Sequence, residues 1–136
     1  MTRIADKIKE IREYLDQLKD IIPGNIAEYK GSLEKKAACE RYVEKIVEAV
    51  TDLAFLTIKI KKLKIPEDDN SAFTILCESN IISDALATRL RNAKGMKNIL
   101  AHQYGKIDDE IVFEAVTQEL EKDVEAFIKQ IEKVLK

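Results

Sequence analysis

The sequence predicts an all-α protein, built as an antiparallel bundle of four main helices with short additional helices. Apolar residues recur at intervals of three and four along most of the chain, which is the spacing of one helix face. Only four glycines and two prolines occur in 136 residues, too few for a turn-rich β architecture. Hydrophobic residues make up 46% of the chain and charged residues 35%, as in an ordered domain of ordinary size. We therefore expect a single helical domain over residues 1–136.

The first helix is predicted over Ala5–Ile21, and Pro23-Gly24 should end it. Its apolar residues align as one seam that faces the bundle, and they are Ile4, Ile8, Ile11, Leu15, Leu18 and Ile22. Asn25 followed by Glu28 has the spacing of a helix start, so we expect a short second helix directly after the turn.

A long helix is predicted from Leu33 to about Leu63. Its apolar residues occupy so much of the circumference that it must be covered on more than one side, which favours a second subunit as part of the cover. Glu48 and Asp52 interrupt this apolar stretch one turn apart. They either face the functional segment described below or lie on a solvated edge.

Four lysines cluster at the end of this helix, and they are Lys59, Lys61, Lys62 and Lys64. Cations at a helix C-terminus interact favourably with the helix dipole, so a structural role is the simplest interpretation. An extension of an RNA-binding surface is the alternative.

Ile65–Asn70 is the clearest loop, and Ser71 is the predicted N-cap of the helix that follows it. Ser83 is predicted to cap the next helix, Asp84 to about Asn92. Gly95 should then allow a bend before a separate helix over Met96–Tyr104.

Asp108 has the position of an N-cap for the last helix. Its predicted buried stripe consists of Val116, Leu120, Val124, Phe127, Ile131 and Val134.

The segment from Ala85 to Lys106 has the most unusual charge pattern in the chain. It contains five basic residues and no acidic one, although the whole chain carries a net charge of -2. The five are Arg89, Arg91, Lys94, Lys97 and Lys106. A local excess of positive charge in an acidic protein predicts a site for an anion.

The only histidine of the protein, His102, lies in this segment. Asn98 precedes it by one helical turn, so the two side chains share a face. Histidine titrates near neutral pH and therefore suits proton transfer, and a nearby cation such as Lys97 suits a phosphate group.

The run from Lys97 to Tyr104, followed by Ile107-Asp108, resembles the Arg-Asn-x-x-x-His-x-Tyr signature of HepT-like proteins of the HEPN superfamily. The resemblance implies a small all-helical fold and, for many members, metal-independent ribonuclease activity. It also implies pairing with an MntA-like nucleotidyltransferase antitoxin that adenylylates the motif tyrosine, here Tyr104. One position departs from the signature, because Lys97 replaces the arginine and lacks its planar two-pronged grip on phosphate.

The resemblance assigns roles to individual residues. We expect cleavage of RNA by its own 2′-hydroxyl, with His102 as general base or acid and Lys97 neutralising charge on the phosphorus. Asn98 would orient the histidine or the phosphate. Arg91 and Lys94 would contact RNA phosphates, and a homodimer would bring two motifs to one cleft.

Two other readings of the same residues stay open. The chain could be a weak or inactive nuclease that acts as the substrate-binding subunit of a nucleotidyltransferase, or a helical dimer without a ligand. Cys39 and Cys77 match no metal or redox motif, and no phosphate-binding loop is present, so we expect no metal and no cofactor. We also expect a cytoplasmic protein, because no signal peptide or membrane span is recognisable.

Overall fold

The computed structural model describes residues 2–101 and 108–135 with their side chains, and the backbone of His102. All regular structure in this part of the chain is helical and no strand occurs in it, which confirms the predicted all-α class. The elements are α1 (Thr2–Ile21), α2 (Ile26–Gly31), α3 (Leu33–Ile60), α4 (Asp69–Glu78), α5 (Asp84–His102), α6 (Asp109–Glu114), a π-helical turn (Ala115–Glu119) and α7 (Leu120–Leu135).

Helix α1 packs along α3 through the seam that the sequence predicts. Five of its six residues are buried, and they are Ile4, Ile8, Ile11, Leu15 and Leu18. Ile22 is half-buried just after the helix. The short α2 follows as predicted, because the Asn25 side chain accepts a hydrogen bond from the Glu28 N–H at 2.9 Å and so caps the helix.

Helix α3 runs through the middle of the structure and contacts α1, α2, α4 and α5. Much of its wide apolar surface is therefore covered within a single chain. Leu33 is 81% exposed at the first position of the helix and Ile60 is 38% exposed at the last, so the least covered parts lie at its two ends. Burying this apolar surface is the main favourable term that holds the fold together.

Helix α4 begins earlier than predicted. Its N-cap is Asp68, whose carboxylate accepts a hydrogen bond from the Ser71 N–H at 2.7 Å. The Ser71 hydroxyl in turn accepts from the Asp68 N–H at 3.1 Å, which completes a capping box. The prediction that Ser71 is the N-cap is therefore wrong by three residues. Serine is common at the N-cap, but here Ser71 is the third helical residue of the capping box.

Helix α5 is continuous through Gly95, so the predicted separate helix beginning at Met96 does not occur. A single glycine weakens a helix by about 1 kcal/mol but does not interrupt it. Buried Leu90 and Leu100, on either side of Gly95, hold both halves of the helix against the same core. The helix begins at Asp84, as predicted. Ser83 caps it, because its hydroxyl accepts a hydrogen bond from the Leu86 N–H at 3.2 Å.

The C-terminal arm consists of α6, the π-helical turn and α7 without a break in helical backbone. Asp108 caps it as predicted, and its carboxylate accepts a hydrogen bond from the Glu110 N–H at 2.9 Å. The π-helical turn was not predicted. It adds one residue to a turn, so that Ala115 and Val116 are both buried before the seam continues at Leu120.

The buried apolar residues of these elements form one cluster that extends from α1 to α7. None of the described helices combines the length and apolar character that crossing a lipid bilayer requires.

Candidate functional site

The C-terminal half of α5 carries the motif residues. Leu86, Leu90 and Leu100 are buried and fix one face of this helix against the core. Lys97 and Asn98 lie on the remaining surface and are both half-buried. The backbone of His102 lies one turn beyond Asn98, at the end of the helix, as the sequence predicts.

Lys94 makes two polar contacts beside the motif residues. It is only 8% exposed, and its ammonium lies 3.1 Å from a carboxylate oxygen of Asp69 at the start of α4. The same ammonium donates a hydrogen bond to the side-chain oxygen of Asn98 at 3.3 Å. Lys94 therefore links α4 to α5 and fixes the orientation of the Asn98 amide.

A cavity of about 270 Å³ lies beside Lys94, and we call it the motif pocket. It is lined by Val47, Glu48, Thr51, Asp52, Phe55, Asp69, Lys94 and Lys97. Of the two interpretations of Glu48 and Asp52, the structure supports the one in which they face the motif. Three carboxylates thus surround two ammonium groups.

This arrangement corrects the picture of an uncompensated positive segment. The segment is free of acidic residues along the chain, but other helices bring carboxylates to it. Arg89 pairs with Asp123 of α7 at 2.8 Å, and Lys94 pairs with Asp69 of α4 at 3.1 Å. Two of the five positive charges in the segment are therefore neutralised in space.

Arg91 points away from the motif pocket. Its guanidinium donates hydrogen bonds to the hydroxyls of Thr74 and Thr88, each at 3.2 Å. It lines a different groove, of about 540 Å³, between α5 and the C-terminal arm. The structure thus brings Lys94, Lys97 and Asn98 together but directs Arg91 elsewhere.

Two predicted site residues cannot be placed in the same way. The His102 side chain and the whole of Tyr104 lie outside the described residues. Their roles stay predictions that depend on the family signature.

Asp69 is the site residue that the sequence interpretation missed. It was assigned to the loop before α4, whereas it is the first residue of that helix and pairs with Lys94. The signal that could have found it is the Asp68–Ser71 capping box, which places Asp69 at the first helical position.

No group of three or more metal-binding side chains occurs among the described residues. Cys39 is buried and Cys77 is partly exposed, and both are free thiols. Burial raises the pKa of the Cys39 thiol, which makes it a poor nucleophile.

Known proteins that are similar to this chain include the following three. A curated protein of Shewanella oneidensis, named mRNA nuclease HepT, is 27% identical over 128 residues, which is 94% of this chain and 95% of the relative. A curated protein of Aphanizomenon flos-aquae, named tRNA nuclease HepT, is 27% identical over 132 residues, covering 97% and 89% of the two chains.

The third is a solved structure of an AMPylated HEPN toxin from Shewanella oneidensis, in complex with an MNT antitoxin. It superposes with a TM-score of 0.89 at 27% identity and covers 96% of each chain. The ribonuclease HepT-like family model matches residues 11–131. This match covers most of the chain and confirms the resemblance found in the motif, so the chain belongs to the ribonuclease HepT-like family.

Proposed function

We propose that the chain is the toxin of a toxin–antitoxin pair, an endoribonuclease that cleaves RNA without a metal ion and is neutralised by a nucleotidyltransferase antitoxin. The observation that carries the proposal is the position of Lys97 and Asn98 beside the motif pocket, one turn before the histidine at the end of α5. The nuclease names of the relatives support the same activity.

The reaction uses a nucleophile that RNA itself supplies. His102 takes the proton of a ribose 2′-hydroxyl, and the oxygen attacks the adjacent phosphorus. The bond from phosphorus to the 5′-oxygen breaks, and that oxygen receives a proton from the protonated His102 or from water. The products are a 2′,3′-cyclic phosphate and a 5′-hydroxyl.

Lys97 and Asn98 supply the groups that stabilise this reaction. The Lys97 ammonium neutralises negative charge as it grows on the phosphoryl oxygens. Asn98 has its oxygen occupied by Lys94, so its amide N–H₂ is free to donate to a phosphate or to the histidine. Lys94 thus acts through Asn98, while Arg91 must leave Thr74 and Thr88 before it can reach RNA.

A homodimer is part of the proposal. A twofold axis places the same patch of both protomers face to face, so two motifs can share one cleft. Ile99 of α5 and Ile111 of α6 are 40% and 59% exposed and line the groove beside the motif helix. Covering these two side chains by a second copy would bury apolar surface next to both motifs.

The antitoxin is proposed to act on Tyr104. The solved relative is AMPylated and bound to an MNT antitoxin, which supports a nucleotidyltransferase partner here. Co-expression with such a partner should add the mass of AMP to the protein. The added mass should be lost in Tyr104→Phe, and its persistence would assign the modification to another residue.

A ribonuclease assay on purified protein tests the activity. Wild type should cleave single-stranded RNA in the presence of a chelator, and His102→Ala should not. Lys133→Gln, an exposed lysine of α7, serves as a matched control and should cleave normally. Equal cleavage by wild type and His102→Ala would overturn the proposal.

One observation favours a second candidate function, a weak or inactive nuclease that serves as the substrate-binding subunit of a nucleotidyltransferase. The motif pocket contains three carboxylates and two ammonium groups, so its charge alone does not favour phosphate. Lys97, which stands in place of the signature arginine, also weakens phosphate binding, because lysine cannot hold two phosphate oxygens at once. Binding of the partner without any RNA cleavage would support this function.

A further inference from the structure

A second cavity adjoins the motif pocket. It has a volume of about 680 Å³ and lies between the N-terminal half of α1, the C-terminal end of α3 and the chain that follows α3. We call it the α1–α3 groove. Asp52 and Phe55 line both the groove and the motif pocket, so the two lie side by side.

The groove has a strong positive charge. Its basic residues are Arg3, Lys7, Lys59 and Lys62, and Asp52 is the only acidic one among the described residues that line it. Lys7 pairs with Asp52 at 3.4 Å and with Glu10 at 2.9 Å, which neutralises the carboxylate at the boundary with the motif pocket. None of the other three cations forms an ion pair with a described carboxylate, so their charge is available to a ligand.

The floor of the groove is apolar. Phe55 and Leu63 are half-buried, and Ile65 is 85% exposed at the edge. Cations along the sides and apolar or aromatic groups beneath are the arrangement by which proteins bind single-stranded nucleic acids, since the phosphates meet the cations and the bases stack on the floor.

The backbone of Lys62 is unusual. Its φ angle is 54°, in the left-handed region that favours glycine or asparagine. It ends α3 in a Schellman motif, in which the Leu63 N–H donates to the Ile58 carbonyl at 3.0 Å. Helix α4 ends in the same way, but with Asn80 at φ 61°. A lysine at this position costs backbone strain and places a cation on the groove.

We propose that the α1–α3 groove binds single-stranded RNA next to the scissile phosphate and carries the strand to the motif pocket. This inference rests on the proposed ribonuclease function and extends its substrate site. A second copy of the chain is a poor occupant, because a twofold contact would place two identical positive patches against each other.

Binding is measured with a fluorescent single-stranded RNA of about 12 nucleotides, a length that exceeds one pocket. The protein is His102→Ala, so that binding is read without cleavage. The groove variant adds Lys59→Gln and Lys62→Gly. Glycine suits the left-handed backbone, so the variant should fold with an unfolding midpoint equal to that of its parent or higher. The control adds Lys129→Gln and Lys133→Gln, two exposed lysines of α7.

The groove variant should bind RNA several-fold more weakly than its parent. Its plot of log affinity against log salt concentration should be shallower by about 1.4, or about 0.7 for each lost cation. In the wild-type background, the same two changes should slow cleavage of the long RNA much more than cleavage of a dinucleotide, which is too short to reach the groove.

Two results would overturn the inference. One is unchanged RNA affinity and salt dependence in the groove variant. The other is loss of self-association or antitoxin binding with normal RNA binding, which would make the groove a protein interface. Failure of the ribonuclease proposal gives a different result. Wild type and His102→Ala would then cleave RNA equally, with or without the groove substitutions.

Discussion

The ammonium of Lys94 donates a hydrogen bond to the side-chain oxygen of Asn98, one turn along α5, at 3.3 Å. The same ammonium is held by Asp69 of α4 at 3.1 Å. The orientation of a motif residue therefore depends on a carboxylate from a different helix. This dependence makes the contact between α4 and α5 part of the candidate site.

Asp69→Ala should destabilise the protein more than Lys94→Met. Removal of Asp69 leaves a buried ammonium without its counter-charge, which costs about 1–3 kcal/mol. Removal of Lys94 leaves a carboxylate whose side chain is 47% exposed and can be hydrated, so the loss should stay within about 1 kcal/mol. Chemical denaturation of both variants measures the difference.

The double variant Asp69→Ala/Lys94→Met completes the cycle. It should be more stable than Asp69→Ala alone, because the uncompensated charge is gone. Additive losses would show that the two side chains do not interact in solution. Lys94→Met should also lower RNA cleavage, since it frees Asn98 from its fixed orientation.

Lys97 is the position at which the motif departs from its family. Lys97→Arg should raise the rate of RNA cleavage, because a guanidinium can hold two phosphoryl oxygens at once. Lys97→Met should lower it by roughly 10²–10³-fold, the usual loss when one group that stabilises transition-state charge is removed. Steady-state kinetics on one RNA checks both variants. Equal rates in all three proteins would place Lys97 outside the reacting centre.

Local sequence patterns predicted the helices well but could not predict what faces them. The seam of α1 and the caps at Asn25, Ser83 and Asp108 depend on neighbouring residues only, and all were found. Asp69, the partner of Lys94, lies 25 residues earlier in the chain, so the charge pattern of the acid-free segment does not include it. Pairing across helices is set by packing, which periodicity does not encode.

Two further errors have a similar origin. Gly95 was expected to allow a bend before a separate helix, but tertiary packing on both sides keeps α5 continuous through one unfavourable residue. The π-helical turn at Ala115–Glu119 depends on fitting one extra residue between two packed segments. Neither is a property of the local sequence alone.

Tyr29→Phe should stabilise the protein. Tyr29 is fully buried, and its hydroxyl has no hydrogen-bond partner among the described residues. Burial raises the pKa of Tyr29, so the hydroxyl stays neutral. Loss of an unpaired buried hydroxyl should gain about 1 kcal/mol, while the ring contact with Phe113, 5.4 Å between centroids, is retained.

Tyr42→Phe is the matched control for this change. The Tyr42 hydroxyl donates to the Gln17 side-chain oxygen at 2.9 Å, so its loss should give no gain in stability. Denaturant midpoints of both variants settle the comparison. A loss of stability in Tyr29→Phe would mean that the hydroxyl makes a bond in solution.

Glu40 of α3 should make stability depend on pH in the direction opposite to most carboxylates. Burial raises the pKa of Glu40 above its ordinary value of 4.5, with Lys36 opposing and Asp109 adding to the shift. A raised pKa means that the folded state binds the proton more tightly than the unfolded state. The contribution of Glu40 is therefore fully present below pH 4.5 and is lost as the pH rises through the folded-state value.

Glu40→Gln removes this titration. The variant should have a higher denaturant midpoint than wild type at about pH 7 and the same midpoint at about pH 4, where Glu40 is mostly protonated. Glu44→Gln, one turn along α3, removes the carboxylate charge that pairs with Arg41 at 3.1 Å and should give no gain at either pH. If Glu40→Gln has the lower midpoint at neutral pH, then ionised Glu40 must form a favourable contact in solution that outweighs its burial.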